Sequence, residues 1–148
     1  MSQAVERAAA VAEARSWLRT PYHHQARIKG AGVDCAWLLI EVYRACGLVP
    51  AIDPGHYPMD WMKHRDEERY LQIVEQYAGR IEGGLAPGDC VVWQFGRCFA
   101  HGAIVIDWPL VIHAYHPAGA VVEGNATQGK LARAPRRDYR LFRWLMSA

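Results

Sequence analysis

HGAIVIDWPLVIHAY, residues 101–115, reads as two β-strands and the turn that joins them. Both flanks are rich in β-branched residues, and Asp107-Trp108-Pro109 between them has the composition of a hairpin loop. A three-residue loop sets residue 106 opposite 110, 103 opposite 113 and 101 opposite 115, so that His101 and His113 become diagonal neighbours on one face. A two-residue loop throws the rings to opposite faces, because side chains alternate with a period of two. The register of this hairpin therefore decides whether two imidazoles can act together.

Outward from the hairpin, CVVWQF, AVVEGN and DYRLFRW are further short runs of β-branched and aromatic residues, and LAPGD ahead of them is a turn built on Pro87-Gly88. The five runs suggest an antiparallel sheet. The first half has a different period. Ala4, Ala8, Val11, Ala14 and Leu18 recur at three- and four-residue steps, giving a helix from about Ser2 to Arg19 that Thr20-Pro21 ends. PYHHQARIKGAG reads as an irregular loop. GVDCAWLLIEVYRACG is a second helix, with Asp34 as N-cap, Val33 placed to pack on Leu38, a buried face of Leu38, Leu39, Val42, Ala45 and Cys46, and Gly47 as its stop. Residues 51–82 begin as a Pro- and aromatic-rich loop, IDPGHYPMDW. HRDEERYLQIVEQYAG then has helical composition up to Gly79, with Leu71, Val74 and Tyr77 or Ala78 facing the core. Helices first and strands after, without βαβ alternation, define an α+β architecture.

A chain of 148 residues, 51% hydrophobic and 22% charged, is in the range of a single soluble domain, taken here as 1–148 with a helical insertion at about 51–82. The net charge of +2 implies no strong polyanion partner. Arg133, Arg136, Arg137, Arg140 and Arg143 make the C-terminus basic, yet they alternate with Tyr139, Phe142 and Trp144 as a solvated sheet face does, so no nucleic-acid partner is expected. Glu6, Arg7, Glu13 and Arg15 interrupt any signal-peptide core, which points to synthesis in the cytoplasm, and no run of eighteen apolar residues predicts a membrane span. Four cysteines, at 35, 46, 90 and 98, form no C-x-x-C pair. Cys90, Cys98, His101 and His113 are the nearest zinc-like set, and their first spacing is unusual. Reduced thiols are the expected state.

Cys35 falls on the first residue of the second helix. Free N–H groups and the positive end of the helix dipole favour a thiolate there, although Asp34 beside it opposes one. The alternative is a small buried hydrophobe, the role expected of Cys46. A thiol nucleophile needs an oriented base, and Cys35, His101 and His113 can supply the trio, with His101 paired to the sulfur and His113 holding its angle. His116, Asn125 and Asp107 are rival third members. His56 and His64 are placed either at the surface or along a cleft.

Thr20-Pro21-Tyr22, Asp34-Cys35, Ala45-Cys46-Gly47-Leu48-Val49-Pro50, Leu85-Ala86-Pro87-Gly88-Asp89, His101-Gly102 and Ile112-His113-Ala114 together resemble the successive motifs of the NlpC-type cell-wall cysteine peptidases. The resemblance runs from about Arg19 to Trp144. It implies a papain-like α+β fold with helices packed on a five- to six-stranded antiparallel sheet. It also implies Cys35 as nucleophile, His101 as base, His113 as orienting residue and Tyr22 beside the oxyanion. The implied substrate is a peptidoglycan stem peptide cut between γ-D-glutamyl and a diamino acid, with no metal or cofactor. Ala36-Trp37 stand where family members commonly have Ser-Gly, and Gly30-Ala31-Gly32 replaces a glycine pair. Asp60-Trp61, His64-Arg65 and Glu67-Glu68 resemble the version encoded in phage and gene-transfer-agent tail clusters, which implies tail-particle proteins as partners. A papain-like amidase or acyltransferase using the same thioester, and an inactive tail structural protein, are the alternatives.

Overall fold

The structure, a computed structural model, describes residues 2–55 and 68–146. The expectations for His56, Asp60, Trp61, His64, Arg65 and Glu67 lie outside the described residues. Strands β1 (Arg27–Ile28) and β2 (Gly32–Val33) form a small antiparallel pair. The main sheet contains β3 (Ala78–Ile81), β4 (Cys90–Phe95), β5 (Cys98–Asp107), β6 (Leu110–Tyr115), β7 (Ala120–Asn125) and β8 (Arg136–Leu141), in the order β3-β8-β4-β5-β6-β7, with every neighbouring pair antiparallel. Helices α1 (Gln3–Ser16), α2 (Cys35–Ala45) and α3 (Arg69–Glu75) precede most of the strands; α4 (Gly129–Arg133) and α5 (Phe142–Met146) flank β8.

Both faces of the sheet are covered, which is why its central strands read as near-continuous apolar runs. On one side Val92, Ile104, Ile112 and Tyr139 join a core with Ala10 and Ala14 of α1, Leu38 and Val42 of α2 and Leu71 of α3. On the other, Val91, Trp93, Phe95, Ala103, Val105 and Val111 pack with Ala126 and with Leu131 of α4. Successive residues along each strand thus alternate between two cores.

The hairpin at 101–115 pairs Ile104 with Ile112 and Val105 with Val111, the register in which partner numbers sum as a three-residue loop demands. At its tip Asp107 pairs with Leu110, and the irregularity between Val105 and Asp107 absorbs the extra residue.

Other expectations are corrected. Helix α1 stops at Ser16 with Trp17 as C-cap, and its buried stripe is Glu6, Ala10 and Ala14, while Ala4 and Ala8 are exposed. Val11, Ala14 and Leu18 pack on the core as expected, and Glu6 can be buried because Trp144 Nε1 and Arg143 Nη2 donate to its carboxylate. The loop after Pro21 contains β1 and β2. The described part of the 51–82 stretch has only the two turns of α3, and Gly79 lies in β3, paired with Arg140. A Cβ there would come within 2.8 Å of Leu145, so the missing side chain admits α5. DYRLFRW is not one strand: β8 ends at Leu141 and Phe142 begins α5.

The LAPGD turn anchors the chain's two ends. Asp89 is fully buried, and its carboxylate accepts from Arg7 (2.9 Å), from Arg140 (2.8 Å) and from the Ala86 N–H (2.9 Å). The C-terminal arginines expected on a solvated face are largely paired: Arg136 with Asp138, Arg137 with Glu75, Arg140 with Asp89 and Arg143 with Glu6. Among the described residues no helix is long and apolar enough to cross a membrane.

Candidate active site

Asp34 starts α2 and fixes the loop before it. One carboxylate oxygen accepts from the Trp37 N–H at 3.0 Å, satisfying a free donor of the first turn, and the other accepts from the Gln25 N–H at 2.7 Å. Cys35 is thereby the first helical residue, as its position predicts. Tyr22 reaches it from the same loop. The Tyr22 backbone N–H donates to Gly119 O at 2.9 Å, its ring stands edge-on to His116 at 5.2 Å, and its hydroxyl hydrogen-bonds the thiol.

The sulfur lies against strand β5. Its S–H donates to Ala100 O at 3.4 Å, and the Gly102 N–H donates to it, so the thiol spans the two peptide groups that flank His101. This contact lies upstream of the first β5–β6 pair, Ile104 with Ile112. Tyr70 of α3 donates its hydroxyl to Cys35 O at 3.0 Å. The residue is only 5% exposed.

Burial, and then the Asp34 charge, push the Cys35 thiol up to about 12 despite N–H donors from Gly102 and Cys35 itself and the Tyr22 hydroxyl. The thiolate expected from the helix start is therefore corrected. A rise from 9.0 to about 12 weighs roughly 4 kcal/mol against the thiolate, several times the ~0.3–1 kcal/mol a helix end supplies.

The two histidines meet on the opposite face. His101 Nε2 and His113 Nδ1 are 2.8 Å apart, and both residues are buried, at 5% and 2% exposure. Phe95 stacks on His101 with ring centres 5.1 Å apart, Trp93 lies at 5.9 Å, and Tyr115 stacks on His113 at 4.6 Å. His113 also presses on the backbone of β7: a Cβ on Gly124 would sit 2.8 Å from its Nε2. Burial holds His113 down to about 4; burial first, then His113 and the Lys130 cation, hold His101 well below its ordinary 6.5. The resting state is a neutral thiol and two neutral imidazoles.

Among the described residues the sulfur makes no hydrogen bond to either ring; its partners are the β5 backbone and Tyr22. Thus the structure brings His101 to His113 and Cys35 to Tyr22, and joins these pairs through the strand that carries His101. The rival third members are engaged elsewhere. His116 lies on Tyr22, Asn125 Oδ1 accepts from Thr127, and Asp107 is exposed at the hairpin tip. The zinc-like set is divided, since Cys90 packs in the helix-side core and bonds Tyr43 while both imidazoles contact the aromatic residues of the other core. Sequence reasoning passed over Phe95, Trp93, Tyr115, Tyr70 and Gly124. The alternation of Trp93 and Phe95 in CVVWQF was a visible signal; their proximity to His101 depends on pairing across β4 and β5.

With a cysteine heading a helix against an antiparallel sheet and two histidines on adjacent strands, this chain has the fold of the solved NlpC/p60 structures that it resembles. No family model and no curated protein matches the sequence; solved structures do. NlpC1 from Trichomonas vaginalis is similar at 15% identity and a TM-score of 0.65, over 88% of this chain and 42% of that one. The NlpC/p60 domain of the peptidoglycan hydrolase SagA is similar at 22% identity and 0.60, over 88% and 96%. An N-acetylmuramoyl-L-alanine amidase from Bacteroides uniformis is similar at 11% identity and 0.54, over 93% and 99%. The chain spans less than half the length of the Trichomonas protein.

Proposed function

We propose that this chain is a cysteine peptidase that hydrolyses amide bonds in peptidoglycan stem peptides, at the bond between γ-D-glutamyl and a diamino acid. The observation that carries the reading is the 2.8 Å His101–His113 contact on the strand whose backbone receives the Cys35 sulfur. The fold shared with a peptidoglycan hydrolase domain supports the substrate class.

The chemistry follows from the neutral resting state. His101 Nε2 is engaged by His113 Nδ1, so Nδ1 of His101 is the nitrogen left to act as base, which requires the tautomer whose Nε2–H donates to His113. For attack the thiol releases the Ala100 carbonyl and turns past the edge of β5 toward the His101 ring. Sγ then bonds to the scissile carbonyl carbon as His101 takes its proton, which makes general-base transfer concerted with attack. The Cys35 N–H and the Tyr22 hydroxyl are the donors for the oxyanion. Collapse breaks the C–N bond, the amine leaves with the proton from His101, and a water deprotonated by His101 cleaves the thioester to a carboxylic acid and the free thiol. No step calls on a metal or cofactor.

Delivery to the wall by a phage-tail-like particle is part of the proposal, on the likeness of Asp60-Trp61, His64-Arg65 and Glu67-Glu68 to tail-cluster members. One observation favours a second reading: the sulfur is buried and, among the described residues, bonded to no imidazole, as in an inactive relative where Cys35 only packs. Purified muropeptides incubated with wild type and with Cys35→Ala, and read by mass, separate the two. The peptidase reading expects cleaved products from wild type and none from the variant; products from neither support the inactive relative.

A further inference from the structure

We infer that Lys130 is a specificity-determining residue that reads a substrate carboxylate beside the scissile bond, an inference that rests on the peptidase reading above. Its ammonium lies over the Phe95 ring, 4.2 Å from the centroid, and the same ring stacks on His101 at 5.1 Å with an interplanar angle of 11°. Those two steps bound the distance from ammonium to imidazole at roughly 9 Å, about one Debye length.

Lys130 is held in that place. Asn125 Oδ1 accepts from the N–H and hydroxyl of Thr127 at 2.9 and 2.6 Å, which closes the turn into α4, and buried Leu131 pins the helix to the second core. The charge is also available. Four of the neighbouring C-terminal arginines are paired with carboxylates, whereas among the described residues Lys130 has no carboxylate partner. Phe95 engages the ammonium through its ring alone, leaving the N–H donors for a ligand.

The proposed substrate presents a matching anion. An amide made through the γ-carboxyl of glutamate leaves the α-carboxylate free, four C–C bonds from the scissile carbonyl, or about 5 Å. With that carbonyl beside His101, the carboxylate's reach of about 5 Å plus an ion-pair contact of about 3 Å is close to the roughly 9 Å bound, on a path that passes the edge of Phe95. A stem peptide whose α-carboxyl is amidated offers no charge there.

The test compares two synthetic L-Ala-γ-D-Glu-diamino acid peptides, one with the free α-acid and one with the α-amide. Wild type is expected to favour the acid by about fivefold in kcat/KM, chiefly through KM, as befits a partly exposed ion pair. Lys130→Gln brings the preference close to one, and Lys130→Arg restores it. A preference unchanged in Lys130→Gln overturns the inference, as does an equal fall on both peptides. Calorimetric binding of both uncleaved peptides to Cys35→Ser, with and without Lys130→Gln, reads the same ratio without catalysis. If wild type cleaves neither peptide, the peptidase reading fails and the Kd ratio alone judges Lys130: a Lys130-dependent preference for the acid sustains the inference, and no preference or no binding overturns it.

Discussion

On the helix side of the sheet, the surroundings of Cys35 are set by a capped helix, a loop and a hydroxyl: Asp34 aligns α2, Tyr22 meets the thiol, and Tyr70 holds the Cys35 carbonyl. On the other side, the imidazoles are set by rings, with Phe95 and Trp93 against His101 and Tyr115 against His113. Helix packing supplies a polar frame to one reactive group, and aromatic stacking supplies an apolar one to the other. Each side favours the uncharged form of its own group, by burial in both cases. What links them is β5, whose backbone touches the sulfur and whose side chain at 101 is the proposed base. Reactivity at such a site depends on holding one strand in place more than on a preformed ion pair.

Two glycines, one on each side, give the comparison its sharpest tests. Gly102 faces the helices, where an added Cβ would collide with the Tyr70 hydroxyl and lie 3.0 Å from Leu39. Gly102→Ala is expected to cost about 2–3 kcal/mol of stability by overpacking, read as a lower urea midpoint at constant m. An unchanged midpoint would mean that the helix side yields easily. Gly124 faces the imidazoles, and its added Cβ would meet Nε2 of His113 at 2.8 Å. Gly124→Ala is expected to tilt that ring and lower kcat about tenfold, with KM and thermal midpoint little changed. The imidazole ¹⁵N shifts of His101 and His113 should move with it; a stability loss with kcat intact would count against an orienting role.

The smallest effect is in pH. His113 is lowered to about 4 and His101 well below 6.5, so both imidazoles stay neutral below the pH at which free imidazole protonates. The acid limb of kcat/KM should lie below 6.5, with no alkaline limb before pH 9 because the thiol sits at about 12. Stability follows the same sign. The unfolded chain binds protons near 6.5 that the folded histidines refuse, so stability from this source is complete above 6.5 and falls as pH drops from 6.5 toward 4. An acid limb at 6.5 or above would break the neutral-pair description.

Much of this arrangement was legible because it follows from local rules. The imidazole pairing came from the residue sum across one hairpin, and the Cys35 position from an acidic cap followed by an apolar face. The phase of α1 was legible only in part: Val11, Ala14 and Leu18 face the core as their spacing suggests, while Ala4 and Ala8 do not, since alanines do not show which side is buried. The end of β8 was hidden because Phe142-Arg143-Trp144 continues the strand alternation, and only Glu6, across the molecule, draws Trp144 inward. The state of the thiol was hidden for a similar reason. Position at a helix start favours charge, while desolvation by a strand sixty-five residues away opposes it and prevails.

Helices α1 and α5 clasp each other. Gln3 donates to Trp144 O at 3.3 Å, Trp144 Nε1 donates to Glu6 at 2.9 Å, and the Arg7 guanidinium lies 4.3 Å from the Trp144 ring centre. Any module grafted before α1 or after α5 would therefore leave from a single corner of the molecule. A short synthetic bridge between the two should make a circular permutant feasible, with its new break in an exposed turn such as Gly83-Gly84.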